Sequence, residues 1–273
     1  MNESATFRVK RPLVGLAPIV AHIPHCSTLI PHDVRTQILL DDDELARELV
    51  RLTDWYTDRL YGFTANLGAS QFINGFSRLV VDPERFVDDA AEPMARVGQG
   101  VVYRRTTDGK PLRADDALGR QVLIARYFIP YHEAFTALVA DTLEHFGRCL
   151  ILDCHSFPTE PLASEPDQTP GRPDICLGTD PFHSPAALTY ALRTALLEEG
   201  FEVEINRPFA GAMVPLAWYG HDRRVASVMI ETRRGLYCDE STGSPSGNYD
   251  RVAAALERGV RAALATTAFV GQP

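Results

Sequence analysis

The segment Cys149-Leu-Ile-Leu-Asp153-Cys154-His155-Ser156-Phe157 is an apolar run of strand length that carries an acid, an imidazole and a hydroxyl at its carboxyl end. A strand this apolar needs cover on both faces, which points to a layered α/β architecture. Open α/β sheets keep their ligand sites at the carboxyl ends of strands. The same grammar occurs where Pro18-Ile-Val-Ala21 runs into His22-Ile23-Pro24-His25-Cys26-Ser27. Two neighbouring strands that each end in histidine can offer two imidazoles to one metal ion.

The rest of the chain alternates strand and helix patterns. The strand over 17–21 is ended by the turn-formers Pro24 and Pro31. Asp41 to Asp43 supply capping side chains and negative charge for a helix on which Leu45, Leu49 and Leu52 share one face. After a break at Thr53, Tyr56, Leu60, Phe63 and Leu67 continue helical spacing, which leaves Asp54 at or near a helix start. Short strands are expected over 70–74 and 78–82, and a long surface loop or hairpin over 92–113. A helix interrupted at Pro130 spans 117–146, with Gly147 as its cap. Irregular chain over 157–173, a helix over 184–199 closed by Gly200, strands over 201–205 and 225–231, and an amphipathic helix over 249–266 complete the pattern. One α/β domain over 1–273 is expected, with residues 1–16 as an N-terminal tail.

No stretch approaches the roughly 18 to 20 apolar residues of a membrane span, and Met1-Asn-Glu-Ser4 lacks the layout of a secretory signal, so a cytoplasmic protein with no membrane partner is expected. The formal charge of −9, without a basic cluster interleaved with aromatics, argues against a nucleic-acid partner. The five cysteines are scattered and form no C-x-x-C pair, which argues against a disulfide framework and a structural zinc knot. Cys26 and Cys154 each adjoin a histidine, but neighbouring residues on a strand face opposite ways, so inert buried thiols are expected rather than activated nucleophiles. A small-molecule partner remains; the sequence sets no oligomeric state.

A catalytic zinc site takes three protein ligands and leaves a position open. His25 and His155 are the first two candidates, and Asp54, His22, Asp153 and His132 compete for the third. Spacing does not choose among them.

Several motifs occur in order: His22-Ile-Pro-His25-x-Ser27, Thr53-Asp54-Trp55-Tyr56, Phe76-Ser77-Arg78-Leu-Val-Val-Asp82-Pro83-Glu84-Arg85-Phe86, Pro130-Tyr131-His132, Asp153-Cys-His155-Ser156-Phe157, Arg172-Pro-Asp-Ile-Cys176 and Ile230-Glu231-x-Arg233. Together they resemble the N-formylglutamate amidohydrolases over residues 18 to 255 or so. The resemblance implies a fold like that of the zinc carboxypeptidases and phosphorylase/hydrolase-like proteins: three layers, with a mixed, largely parallel central sheet flanked by helices. It also implies a divalent metal, zinc first, held by His25, Asp54 and His155. In the carboxypeptidases the acidic ligand follows the first histidine within one short motif, whereas position 28 here is Thr28, so the acid moves to Asp54.

The implied reaction is hydrolysis of the formamide of N-formyl-L-glutamate, a step of histidine degradation. Glu231, emerging from the apolar strand Val225-Ala-Ser-Val-Met-Ile230, is the expected proton carrier, because desolvation raises a carboxyl pKa. Arg78, Arg85, Arg172 and Arg233 lie in the resembling motifs; guanidinium groups match the substrate's carboxylates, with Arg78 first as the cation at the developing oxyanion and Arg85 next. Ser156 and Asn206 are further expected substrate contacts, Asn206 shaping a close-approach loop with Gly211, and Asp153 is an expected orienting partner of a ligand histidine. Two other readings keep this fold: a hydrolase of another N-acyl amino acid or short peptide, and an inactive amino-acid-binding protein.

Overall fold

The structure, a computed structural model, describes residues 6–12, 14–267 and 269. Its main sheet contains β1 (Phe7–Lys10), β2 (Ile19–Ile23), β3 (Ser70–Asn74), β4 (Cys149–Phe157), β5 (Ile175–Gly178), β6 (Val203–Ile205) and β7 (Val225–Arg233), in the spatial order β1-β3-β2-β4-β7-β5-β6. The central neighbours β3, β2, β4 and β7 run parallel, β1 and β5 are antiparallel to β3 and β7, and β6 is parallel to β5. The α-helices are α1 (His32–Arg35), α2 (Asp42–Leu52), α3 (Thr57–Leu60), α4 (Ala117–Leu123), α5 (Ile129–Phe146), α6 (Ala186–Glu198) and α7 (Tyr249–Ala265). A short ribbon pairs β8 (Cys238–Asp239) with β9 (Ser244–Pro245). The expected mixed, largely parallel sheet between helical layers is what the chain forms.

Strand alternation separates two cores. Ile19, Ala21 and Ile23 of β2, Leu150, Leu152 and Cys154 of β4, and Ala226, Val228 and Ile230 of β7 pack with α6 and α7. Val20, Ile151 and Val225 face the other way, onto Tyr131, Phe135, Leu138 and Val139 of α5. At the carboxyl ends of the strands this α5 face turns polar, and His22, Asp153, His155 and Glu231 continue the period-2 rows there. The first face is apolar through Ile230, with Thr232 beyond it meeting the Tyr61 hydroxyl.

Local signals account for most element ends. Asp41 and Glu44 form a reciprocal capping box at the start of α2, with bonds of 2.8 and 3.3 Å. Gly147 ends α5 at φ 71°, a left-handed conformation that suits glycine. The break expected at Pro130 takes a specific form: residues 124–128 wind as a π-helical turn between α4 and α5, a widened turn next to the residue that lacks an N–H.

Three expectations differ from the fold. Residues 78–82 are no strand: Leu79 N–H bonds to Ser77 Oγ at 3.2 Å and Val80 N–H to Ser77 O at 2.8 Å, making a turn. That run is apolar because Val80 and Val81 pack with Val101, Val102, Leu123 and Tyr127, and Leu79 with Tyr103 and Leu112. The 92–113 segment is a loop with one short 3-10 helix, Pro93–Val97, and an isolated bridge between Arg105 and Pro111, but it tucks inward where the surface was expected, burying Val101, Tyr103, Thr107 and Leu112. The segment expected as a tail contributes the edge strand β1, whose Phe7 stacks on Phe72 with ring centroids 5.0 Å apart.

Tyr61, just after α3 and buried, ties the active end of the sheet together. Its hydroxyl contacts Ile230 O at 2.8 Å, His155 O at 3.2 Å and Thr232 Oγ1 at 2.9 Å. Replacing Tyr61 with Phe leaves buried acceptors without their donor, so urea unfolding of Tyr61→Phe is expected to show a loss of about 1–3 kcal/mol relative to the parent.

Candidate metal centre and active site

Parallel pairing sets the site. His22 lies opposite Asp153 across β2 and β4, and His155 lies opposite Glu231 across β4 and β7. His25 follows two residues beyond the end of β2, and Asp54 comes from the turn between α2 and α3. Asp54 is held by backbone: its N–H donates to His25 O at 3.0 Å, and its Oδ2 accepts from Ser156 N–H at 3.2 Å. Tyr237 clamps the same turn by donating to Trp55 O at 2.9 Å.

Nitrogens of His25 and His155 and an oxygen of Asp54 lie within 4.8 Å of one another, all on buried residues. Asp54 Oδ2 is 3.1 Å from His155 Nδ1 and 3.8 Å from His25 Nδ1. The far nitrogen of each ring is engaged elsewhere: His25 Nε2 with Asp82 Oδ1 at 2.9 Å, and His155 Nε2 with Asp153 Oδ1 at 3.0 Å. A carboxylate on one nitrogen fixes the tautomer and turns the other nitrogen inward. His25 Nδ1 is buried and has no hydrogen-bond partner. Two imidazoles and one carboxylate, one nitrogen unsatisfied, suit a divalent cation with a fourth position open. A second donor group, His22, Glu84, Asp153 and His155, adjoins the first and shares His155.

The electrostatics favour a cation. Burial would raise the Asp54 and Asp153 carboxyls, but hydrogen bonds and charge from the histidines outweigh it and hold both well below the usual carboxylate range. Burial would lower His155, but Glu84, Asp153 and Asp54 push it well above the ordinary imidazole value. A field that retains a proton on His155 favours positive charge there generally. Glu231 goes the other way: burial, with Asp54, Glu84 and Asp153 adding repulsion, raises it to about 8 against an opposing pull from His155. Its Oε2 is buried without a partner.

The expected arginines separate. Arg78 donates to Asp82 Oδ2 from Nε at 3.1 Å and from Nη2 at 2.7 Å, so much of its fork is spent on the carboxylate that holds His25. The Arg85 side chain stands 3.6 Å from Asp82 and 4.0 Å from Glu92 without a side-chain hydrogen bond and is 23% exposed. Arg172 is buried, donates to Pro158 O at 3.1 Å and to Glu165, and lies against the rings of Phe157 and Phe209. Arg233 is paired with Asp174. Asn206, at φ 58°, commits both ends of its amide to Thr179 outside the donor groups. Ser156 contributes its N–H to Asp54, and its Oγ lies 3.5 Å from Arg234 Nε. His132 is outside both donor groups; its Nε2 meets Pro83 O at 2.8 Å, and burial lowers it to about 4.

Sequence reasoning missed several members. Glu84 reaches His155 Nε2 at 3.1 Å, Asp82 gathers His25, Arg78 and the Tyr103 hydroxyl at 2.7 Å, and buried Arg234 lies 3.7 Å from Asp54. Asp82 and Glu84 lie close to Arg78 and Arg85 in sequence, and that local charge pattern gives no sign that they also face distant histidines. The cysteines behave as expected: all five are free thiols, and burial pushes Cys26 and Cys149 up to about 12.

A pH dependence follows for metal-free protein. Glu231 has a folded pKa above its ordinary 4.5, so the stability it contributes is present below about pH 4.5 and is lost as pH rises through about 8. Glu231→Gln, which mimics the protonated form, is therefore expected to match the parent in urea unfolding near pH 4.5 and to exceed it above pH 8.

With this geometry in place, comparison with known proteins is direct. The family model for N-formylglutamate amidohydrolase matches residues 17–238. An N-formylglutamate deformylase from Pseudomonas aeruginosa is 31% identical over 234 residues, covering 83% of this chain and 84% of the relative; one from Pseudomonas putida is 27% identical over 237 residues with the same coverage. The crystal structure of N-formylglutamate amidohydrolase from Ralstonia eutropha JMP134 superposes with a TM-score of 0.84 at 25% identity, covering 95% of this chain and 97% of that one. A protein from Agrobacterium tumefaciens shares the fold, with a TM-score of 0.68 at 19% identity over 96% of this chain and 95% of that one. The chain belongs to the N-formylglutamate amidohydrolase family.

Proposed function

We propose that this chain hydrolyses N-formyl-L-glutamate to formate and L-glutamate with a divalent metal, zinc first, held by His25, Asp54 and His155. The observation that carries the reading is His25 Nδ1, buried, unpartnered and turned toward the same Asp54 oxygen that faces His155 Nδ1. The names of the Pseudomonas relatives support the substrate. When bound, the metal supplies Lewis acidity to the formyl carbonyl and acidifies the attacking water.

The remaining work falls to side chains. Glu231, opposite His155, is raised to about 8 in the metal-free protein; the positive charge of a bound metal would favour its ionised form, which accepts the proton of the attacking water and returns it to the leaving amine nitrogen. The C–N bond then breaks, giving formate and the free amino group of glutamate. Arg85, charged and without a side-chain hydrogen bond, takes a substrate carboxylate, in preference to Arg78, which holds Asp82 against His25. Buried Arg172 and ion-paired Arg233 shape the walls instead of binding substrate.

Formate release from N-formyl-L-glutamate should vanish on chelation and return with added zinc. Undiminished release by metal-free protein contradicts the proposal. Glu231→Gln should lower kcat by about 10²- to 10⁴-fold while metal binding persists. Arg85→Met should lower kcat/KM by about 10- to 100-fold, mainly through KM, as expected for a lost charge-assisted hydrogen bond.

A further inference from the structure

The second donor group lies on the side of His155 away from Asp54. His22 is wholly buried, and both its nitrogens are engaged: Nδ1 with Asp153 Oδ1 at 2.7 Å, Nε2 with the Tyr131 hydroxyl at 2.7 Å. Its ring stacks on Phe135 with centroids 4.6 Å apart and meets Tyr131 edge-on at 6.0 Å. Asp153 Oδ1 also receives His155 Nε2 at 3.0 Å, and Asp153 Oδ2 accepts from Met213 N–H at 3.0 Å. An ionised carboxylate only accepts, so both histidines present N–H to it, and His22 Nε2 is left to accept the Tyr131 hydroxyl hydrogen. Every polar side-chain atom of Tyr131, His22 and Asp153 has a partner. A ring so enclosed and satisfied has no lone pair left for a metal.

We infer that Tyr131 and His22 are positioning residues, forming a hydrogen-bonded chain through Asp153 that holds an N–H of His155 on Nε2 and turns Nδ1 toward Asp54 as the nitrogen left for a metal to take, so that the second donor group holds no second metal. The inference rests on the proposed role of His155 as a ligand and extends it to two aromatic side chains from β2 and α5. The donors converge on Asp153 from both sides. Tyr131 fixes the His22 tautomer, His22 orients Asp153, and Asp153 orients His155. Removing a partner of this kind typically weakens metal binding about 10- to 100-fold.

The test measures zinc affinity of the stripped full-length protein by competition with a chromogenic chelator, with folding followed by circular dichroism. The parent should bind one zinc per chain. His22→Leu should bind about 10- to 100-fold more weakly, and the near-isosteric Tyr131→Phe should also weaken binding while remaining folded. His22→Asn, whose amide can place an N–H near the position of Nδ1, should recover most of the affinity. Nitrogen NMR of the metal-free parent should place a hydrogen on His155 Nε2. Unchanged affinity in both folded His22→Leu and Tyr131→Phe overturns the inference, as does His22→Asn as weak as His22→Leu. Two zinc ions per parent chain and one in His22→Leu would make His22 a ligand instead. A parent that binds no zinc defeats the underlying reading of His155 as well.

Discussion

Carboxyl groups crowded around two buried imidazoles set the terms for this molecule. Asp54, Asp82, Asp153 and Glu231 are each at most 7% exposed, and Glu84 reaches the same cluster from the rim. Charges withdrawn from water to this degree need partners. Asp82 finds Arg78 and the Tyr103 hydroxyl, Asp153 finds His22 and His155, and Asp54 finds the Ser156 N–H with Arg234 behind it. The demand left over falls between His25 and His155, and Glu231 answers it by keeping a proton. One crowded field thus produces both a seat for a cation and a carboxyl poised for proton transfer.

The sheet delivers this arrangement through register. A shift of one residue between β4 and β7 would point Glu231 into the apolar layer of α6 and α7. That layer is continuous from Ile19 to Ile230, so it opposes the slip, and the Tyr61 hydroxyl bonds across the two strands at the level of the site. The packing that stabilises one face therefore maintains the chemistry of the other.

Much of this was legible in the sequence because it rests on short-range pattern. The strands bearing His22, His155 and Glu231 were readable from apolar runs ending in polar residues, and the α2 start from the acids Asp41 to Asp43. Bringing His25, Asp54 and His155 together required the family resemblance, since 29 and 101 residues separate Asp54 from the two histidines and no local period encodes that closure. The 78–82 run misled because burial in a loop core produces the same apolar letters as burial in a sheet. Glu84 and the choice among the arginines were illegible for a related reason. Asp82 and Glu84 have arginines close to them in sequence, yet Glu84 faces histidines contributed by distant strand ends. Only the fold separates partly committed Arg78 from Arg85, and shows that Arg172 is enclosed by Phe157 and Phe209.

The measurement that tests the central claim most directly is anomalous diffraction at the zinc edge from crystals of the zinc-loaded protein. The account predicts one peak, about 2.0–2.2 Å from Nδ1 of His25, Nδ1 of His155 and a carboxylate oxygen of Asp54, with Glu231 nearby but not coordinating. A peak held instead by His22, Glu84 or Glu231, or crystals that take up no zinc at this cluster, would contradict it.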